Sequence, residues 1–201
     1  MDGIDLTPAV AGTRKVPARE RILITASELF YAEGLRAVSA DKIIARASIT
    51  KVTFYRHFPT KDDLIVAYLE RRAAWEREAV RGAWEASNGD VSGTLKLIAD
   101  GIGTESCSAG FRGCPFINAA AEYADGENAV RKVVGAHRAW FHAKLAELVA
   151  NAGIPDAETT ADELVMLRDG AMVCGYLGDP AVVSRALYRA GMAIVGLPVA
   201  L

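Results

Sequence analysis

Residues 47–64 read ASITKVTFYRHFPTKDDL. The stretch is too polar for a core helix and too aromatic for an idle surface. Pro59 divides it, because the residue before a proline resists the helical region, so a helix opening after Thr50 ends just ahead of it. Thr60 then caps a new helix, with Asp62 and Asp63 in its first turn, where the helix dipole favours acids. At about 100° per residue, Phe54 and Phe58 share one face and Tyr55 lies near its edge. Val52, Thr53, Arg56 and His57 point the other way. Thr50 and Lys51 stand at the helix N-terminus, whose free N–H groups attract phosphate. At this point an ordinary amphipathic helix with a solvated basic face remains an alternative.

The preceding residues supply a partner for this helix. Pro17 can open a helix at its first turn. Ile22, Ala26, Leu29 and Phe30 then make an apolar stripe, continued by Glu33, and Gly34 ends it. Ser39 is a good N-cap for a short second helix whose apolar positions are Ala40, Ile43, Ile44 and Ala47. Two short helices joined by the brief turn Ala47–Thr50 fit a helix-turn-helix, in which the second helix enters the major groove of DNA. Charge agrees. Arg14 to Lys61 holds ten Lys/Arg against four Asp/Glu, a net +6, whereas Asp62 onward holds thirteen against nineteen, a net −6. A basic head on an acidic body suits an anionic partner for the head.

Helical periodicity continues to the end of the chain. Apolar residues do not alternate with period two, and the breaks are Gly and Pro rather than hairpin turns. The long helix after Thr60 reaches about Ser87, and further helices are expected near 91–106, 115–124, 127–151, 158–177 and 180–197. No run approaches the roughly 18 apolar residues of a membrane span. Met1 to Val16 lacks the apolar centre of a signal peptide, so a cytoplasmic protein without membrane contact is expected. Cys107, Cys114 and Cys174 form no CxxC and read as buried free thiols of a reducing compartment. There is no HExxH, GxSxG, Walker loop or dinucleotide-binding glycine motif after a strand. His137 and His142, five apart, are poorly spaced for one metal site. Neither enzymatic activity nor a cofactor nor a metal is expected.

Arg19 to Leu69, RERILITASELFYAEGLRAVSADKIIARASITKVTFYRHFPTKDDLIVAYL, resembles the DNA-binding domain of the TetR family of bacterial transcription regulators. The shared landmarks are ILITASELF, the EG pair, a hydroxyl residue opening helix two, and TFYRHFPTKDDL. The resemblance implies an all-α fold of about nine helices. A flexible arm (1–16) would lead into a three-helix DNA-binding domain (17–61) and a helical effector-binding and dimerisation domain (62–201). It implies that Ser39 and Thr50 bond phosphates at the starts of helices two and three. Lys51, Val52 and Thr53 would face bases, and Tyr55, His57 and Lys61 would add phosphate contacts. Phe54 and Phe58 would be core, while Arg14, Lys15 and Arg19 would grip phosphate or the minor groove. The turn departs from the family at Ser48, where glycine is usual, so a strained but tolerable positive φ is expected.

For the remainder, the resemblance implies a dimer interface and a ligand pocket. Val183, Leu187, Ala190 and Ile194 make one apolar stripe, and Leu164, Leu167, Ala171 and Tyr176 another, with Gly170 and Gly175 allowing close approach. Paired with symmetry mates they would form a four-helix interface; the alternative is packing within one chain. Trp75, Phe111, Phe116, Trp140 and Phe141 could line an apolar cavity, with Asn118, Glu122, His137 and His142 as its polar groups. FRGCPFINAAAE resembles a stretch in one broad subgroup of the family, where Pro115 begins a helix beside the pocket. The expected partners are therefore double-stranded operator DNA, a second copy of the chain and a small-molecule effector. The expected function is a ligand-responsive repressor on a palindromic operator. Its alternatives are an activator, a ligand-independent DNA-binding protein, or a small-molecule-binding protein without DNA function.

Overall fold

The computed structural model describes residues 16–198, so Arg14 and Lys15 of the arm lie outside the described residues. Among the described residues there are nine α-helices and no strand. They are α1 (Ala18–Glu33), α2 (Ala40–Arg46), α3 (Lys51–His57), α4 (Lys61–Ala86), α5 (Val91–Ser106), α6 (Pro115–Glu122), α7 (Ala129–Asn151), α8 (Ala157–Leu177) and α9 (Val183–Ile194). A 3₁₀ turn at Pro180–Val182 replaces the first turn expected of the last helix. None of these helices is long and apolar enough to cross a membrane. The chain forms two compact units. One comprises residues up to Arg72 together with Pro115–Val134, and the other Ala73–Cys114 together with residues from Gly135 onward.

In the first unit, the stripe expected on α1 is buried: Ile22 and Ala26 are wholly enclosed, with Leu29 and Phe30 beside them. Glu33 and Glu28, on the solvent side, pair with Lys42 and Arg46 of α2, and Glu20 pairs with Arg71 of α4 at 2.6 Å. Phe54 and Phe58 are buried, as are Ile43 of α2 and Leu64, Ile65 and Leu69 of α4. Fully burying one such side chain contributes about 1.5–3 kcal/mol, so the aromatic pair anchors α3. The start of α4 is closed by a capping box: Asp63 N–H donates to Thr60 Oγ1 (3.1 Å), and Thr60 N–H donates to Asp63 Oδ2 (2.9 Å).

In the second unit, Ala99 of α5, Leu145, Leu148 and Val149 of α7, Ala161 and Leu164 of α8 and Met192 of α9 form a continuous core. Leu187 and Ile194 pack against it. Gly175 lets α8 approach α5 closely: a Cβ there would lie 2.5 Å from Ser106 Oγ. All three cysteines are free, but only Cys114 is buried; Cys107 and Cys174 are exposed. Cys107 follows the last residue of α5, and Cys174 sits beside Val173 on the outward face of α8, which corrects the expectation of buried thiols.

Candidate nucleic-acid interface

The turn between α2 and α3 is built from backbone hydrogen bonds. Ser48 N–H donates to Ala45 O (3.2 Å) and Ile49 N–H to Ile44 O (3.3 Å), the paired bonds of a Schellman ending. That ending needs a left-handed residue, and Ser48 takes it with φ +52°. Thr50 then caps α3: its Oγ1 accepts from Thr53 N–H at 3.2 Å and lies 2.9 Å from Thr53 Oγ1. Ser39 caps α2 in the same way, accepting from Lys42 N–H at 3.2 Å.

Helix α3 shows two contrasting faces. Phe54 is wholly buried, while Val52, an apolar residue, is 79% exposed beside the exposed Lys51. Thr53 and His57 are half-buried, and Tyr55 is exposed with its ring set edge-on to Phe54 at 5.2 Å. Lys51 Nζ lies 3.3 Å from Asp41 Oδ1 of α2. Lys61 is placed differently from a free surface lysine: its Nζ donates to Val38 O (2.9 Å) and Arg36 O (3.2 Å), which leaves one ammonium proton for another acceptor. The Arg19 guanidinium sits over the Phe58 ring, 5.1 Å from its centroid. An open cleft of about 400 Å³ in the same unit is lined by Arg36, Lys61, Asp62, Tyr123, Asp125 and Asn128. Burial and a hydrogen bond to Asp62 Oδ1 (3.0 Å) push the Tyr123 hydroxyl up to about 12.

The residues expected of an effector pocket are divided between the two units. Phe116, Asn118 and Glu122 belong to the first, and there Phe116 is buried and Glu122 accepts the N–H groups of Leu35 and Arg36. Within the second unit, His137, Trp140 and Phe141 gather around a buried polar cluster. His137 Nε2 lies 3.1 Å from Glu76 Oε2, the Trp140 ring is 5.5 Å from His137, and the Arg168 guanidinium is 5.6 Å from the Phe141 ring. Arg168 also reaches Cys114 Sγ (3.1 Å) and Asp169 (3.2 Å). Burial pushes its pKa down, but Cys114, Glu76 and Asp169 hold it above the ordinary value. Trp75 is 43% exposed, and Phe111 packs near Gly175. His142 faces Asp162 at 3.1 Å.

Of the eight residues expected at a dimer interface, Leu164 and Val183 are buried, and Leu187 and Ile194 pack on the unit's own core. Leu167, Ala171 and Ala190 are half-buried, and Tyr176 is exposed. The outward face of α8 is another stripe, Met166, Gly170, Val173 and Leu177, continued by Val182. Residues missed by sequence reasoning are this stripe, Asp41 beside Lys51, and the tie of Glu122 to the α1–α2 connection. Only the stripe carried a signal, an apolar i, i+7, i+11 pattern.

A helix-turn-helix with one buried aromatic face and one exposed polar face defines a DNA-binding regulator. The comparisons with known proteins give its family. The sequence profile of bacterial regulatory proteins of the tetR family matches residues 22–68. A TetR-family transcriptional regulator from Streptomyces coelicolor, known from its crystal structure, is 43% identical over 89% of this chain and 94% of its own, with a TM-score of 0.85. The chain belongs to the TetR family of transcriptional regulators. Escherichia coli NemR in its reduced form shares the fold, with a TM-score of 0.80 over 91% of this chain and 99% of its own at 19% identity. The HTH-type transcriptional activator FasR of Mycolicibacterium smegmatis is 42% identical over 53 residues, which are 26% of this chain and 24% of that protein's length.

Proposed function

We propose that the chain is a cytoplasmic, homodimeric, ligand-responsive repressor that places α3 in successive major grooves of a palindromic operator, and that its role is regulatory rather than catalytic. The observation that carries the DNA contact is the contrast on α3, with Phe54 enclosed and Val52 79% exposed beside Lys51. An exposed valine next to a lysine gains nothing from water, but its methyls can meet a thymine methyl while the lysine meets guanine or phosphate. Lys51, Val52 and Thr53 read bases in this proposal; Ser39, Thr50, Tyr55 and His57 hold phosphates, with Lys61 contributing its third proton. The exposed Met166, Val173 and Leu177 of α8 support a dimer, because such a stripe marks an interaction surface. An effector acts by preferring the DNA-incompetent state, and a coupling of about 1–3 kcal/mol is typical. Candidate contacts to it are Trp75, Phe111, His137, Trp140 and Phe141 of the second unit.

Selection of bound fragments from genomic DNA tests this reading and supplies the operator. On those fragments, Lys51→Ala or Thr53→Ala alters sequence preference by about 1–3 kcal/mol per lost base contact. Tyr55→Phe with His57→Ala weakens all sequences alike, because phosphate contacts carry no sequence information. Unchanged operator affinity in both sets removes α3 from the interface. Activation is the second reading, favoured by the match of FasR, a named activator, to a 53-residue stretch. A reporter behind the operator, with and without the gene for this chain, separates the two.

A further inference from the structure

The connection from α1 to α2 is gripped from two sides by groups of opposite polarity. Leu35 N–H donates to Glu122 Oε1 at 2.9 Å and Arg36 N–H to Glu122 Oε2 at 2.7 Å. Lys61 Nζ holds the carbonyls of Arg36 and Val38 in the same segment. Gly34, at φ +98° and ψ 154°, occupies a region open in practice to glycine alone, and a Cβ there would come within 3.3 Å of Glu122 Oε1. Glu122 is the last residue of α6, and Arg131 Nη1 fixes that helix end by donating to Tyr123 O at 3.0 Å and Ala120 O at 3.4 Å. Every group named belongs to the first unit.

We propose that Glu122 is a positioning residue for DNA binding, acting through the Leu35 and Arg36 amides on the pose of Ser39 and α2. A carboxylate that takes two consecutive amides, one on each oxygen, fixes direction as well as distance. Three residues beyond Arg36 the chain reaches Ser39, so freedom released at the amides is freedom of the first phosphate contact of α2, to be lost again on binding. The inference rests on the assignment of Ser39 to phosphate in the proposed function. Its sign is diagnostic. Removing an acid from a DNA-binding unit strengthens binding if only charge matters, whereas loss of a positioning group weakens it.

The test compares Glu122→Ala, Glu122→Gln and the charge control Glu70→Gln on a DNA fragment selected by the wild type, across a salt series. Amide exchange at residues 35–38 and thermal melting are measured alongside. Glu122→Ala is expected to weaken binding about tenfold at every salt concentration, with no flattening of the salt slope because the Ser39 hydroxyl is uncharged, and with faster exchange at Leu35 and Arg36. Glu122→Gln, which keeps the shape and one acceptor, falls between it and the wild type and carries the test if the alanine variant does not fold. Glu70→Gln binds as well as or better than wild type. Faster amide exchange with unchanged or tighter DNA binding overturns the proposal and leaves Glu122 a stabilising cap. Should Lys51→Ala and Tyr55→Phe bind normally while Glu122→Ala does not, the assigned contacts of α3 fail, and the Ser39 contact and the role of Glu122 stand.

Discussion

Asp41 Oδ1 lies 3.3 Å from Lys51 Nζ, so the first residue of α3, the proposed recognition helix, is paired with an acid from the helix before it. Both side chains are largely exposed, and such pairs contribute at most about 1 kcal/mol to folding. On DNA the balance differs, because the carboxylate repels phosphate and competes for the lysine. Asp41→Asn is expected to tighten operator binding by roughly two- to fivefold and to steepen the salt slope by close to one contact. Stability in urea changes by less than about 0.5 kcal/mol. Weaker binding in a salt titration would instead make Asp41 the group that aims Lys51.

Ser48 carries a positive φ of 52° at the turn where the chain reverses into α3. An L-residue there bears roughly 1–2 kcal/mol of strain that glycine lacks, partly offset by the greater freedom of glycine in the unfolded chain. Ser48→Gly is therefore expected to stabilise the first unit by about 0.5–1 kcal/mol, seen as a higher urea midpoint. Asn88→Gly, at φ 53°, should gain less, because asparagine tolerates this region.

Helix ends were the most legible feature. Ser39, Thr50 and Thr60 cap, Gly34 and Pro59 stop, and each acts on backbone within four residues, so a linear reading suffices. The left-handed turn at Ser48 was expected only through the family resemblance, in which glycine is usual at that position, since nothing in a serine itself announces a positive φ. What the linear reading lacked was partner choice. Glu122 meets Leu35 across 87 positions, and nothing local marks an acid at a helix end as a cap for a distant loop. Lys61 was expected on phosphate, yet two of its protons hold carbonyls more than twenty residues away. Helix α8 has apolar residues on two faces, and periodicity alone cannot say which one its own chain covers.

Tyr123 gives a pH signature for the first unit. Its hydroxyl, ordinarily near 10, is raised to about 12 by burial and by donation to Asp62. A raised pKa means that the folded state holds the proton more tightly than the unfolded one. The stabilisation is thus fully present below pH 10 and is lost as pH rises from 10 towards 12. Tyr123→Phe abolishes that part of the decline. Other tyrosines and lysines titrate in both proteins, so the difference between their urea midpoints across this window isolates Tyr123. Parallel curves would show that Tyr123 contributes no linkage.

The two apolar faces of α8 make opposite predictions about assembly. If association used the face carrying Leu164, the helix would have to leave the core it shares with Leu148 of α7 and Met192 of α9. The outward face needs no such rearrangement: Leu177 is 75% exposed and Met166 66% exposed. In a two-fold interface each substitution acts twice, and a desolvated, unpaired carboxylate costs several kcal/mol. Leu177→Glu is therefore expected to yield a monomer of unchanged helix content, with the dimer dissociation constant raised more than a hundredfold in sedimentation equilibrium. Operator affinity falls with it, since a lone recognition helix forfeits the second half-site. A Leu177→Glu protein that remains dimeric would return the interface to α9 and the half-buried Leu167 and Ala171.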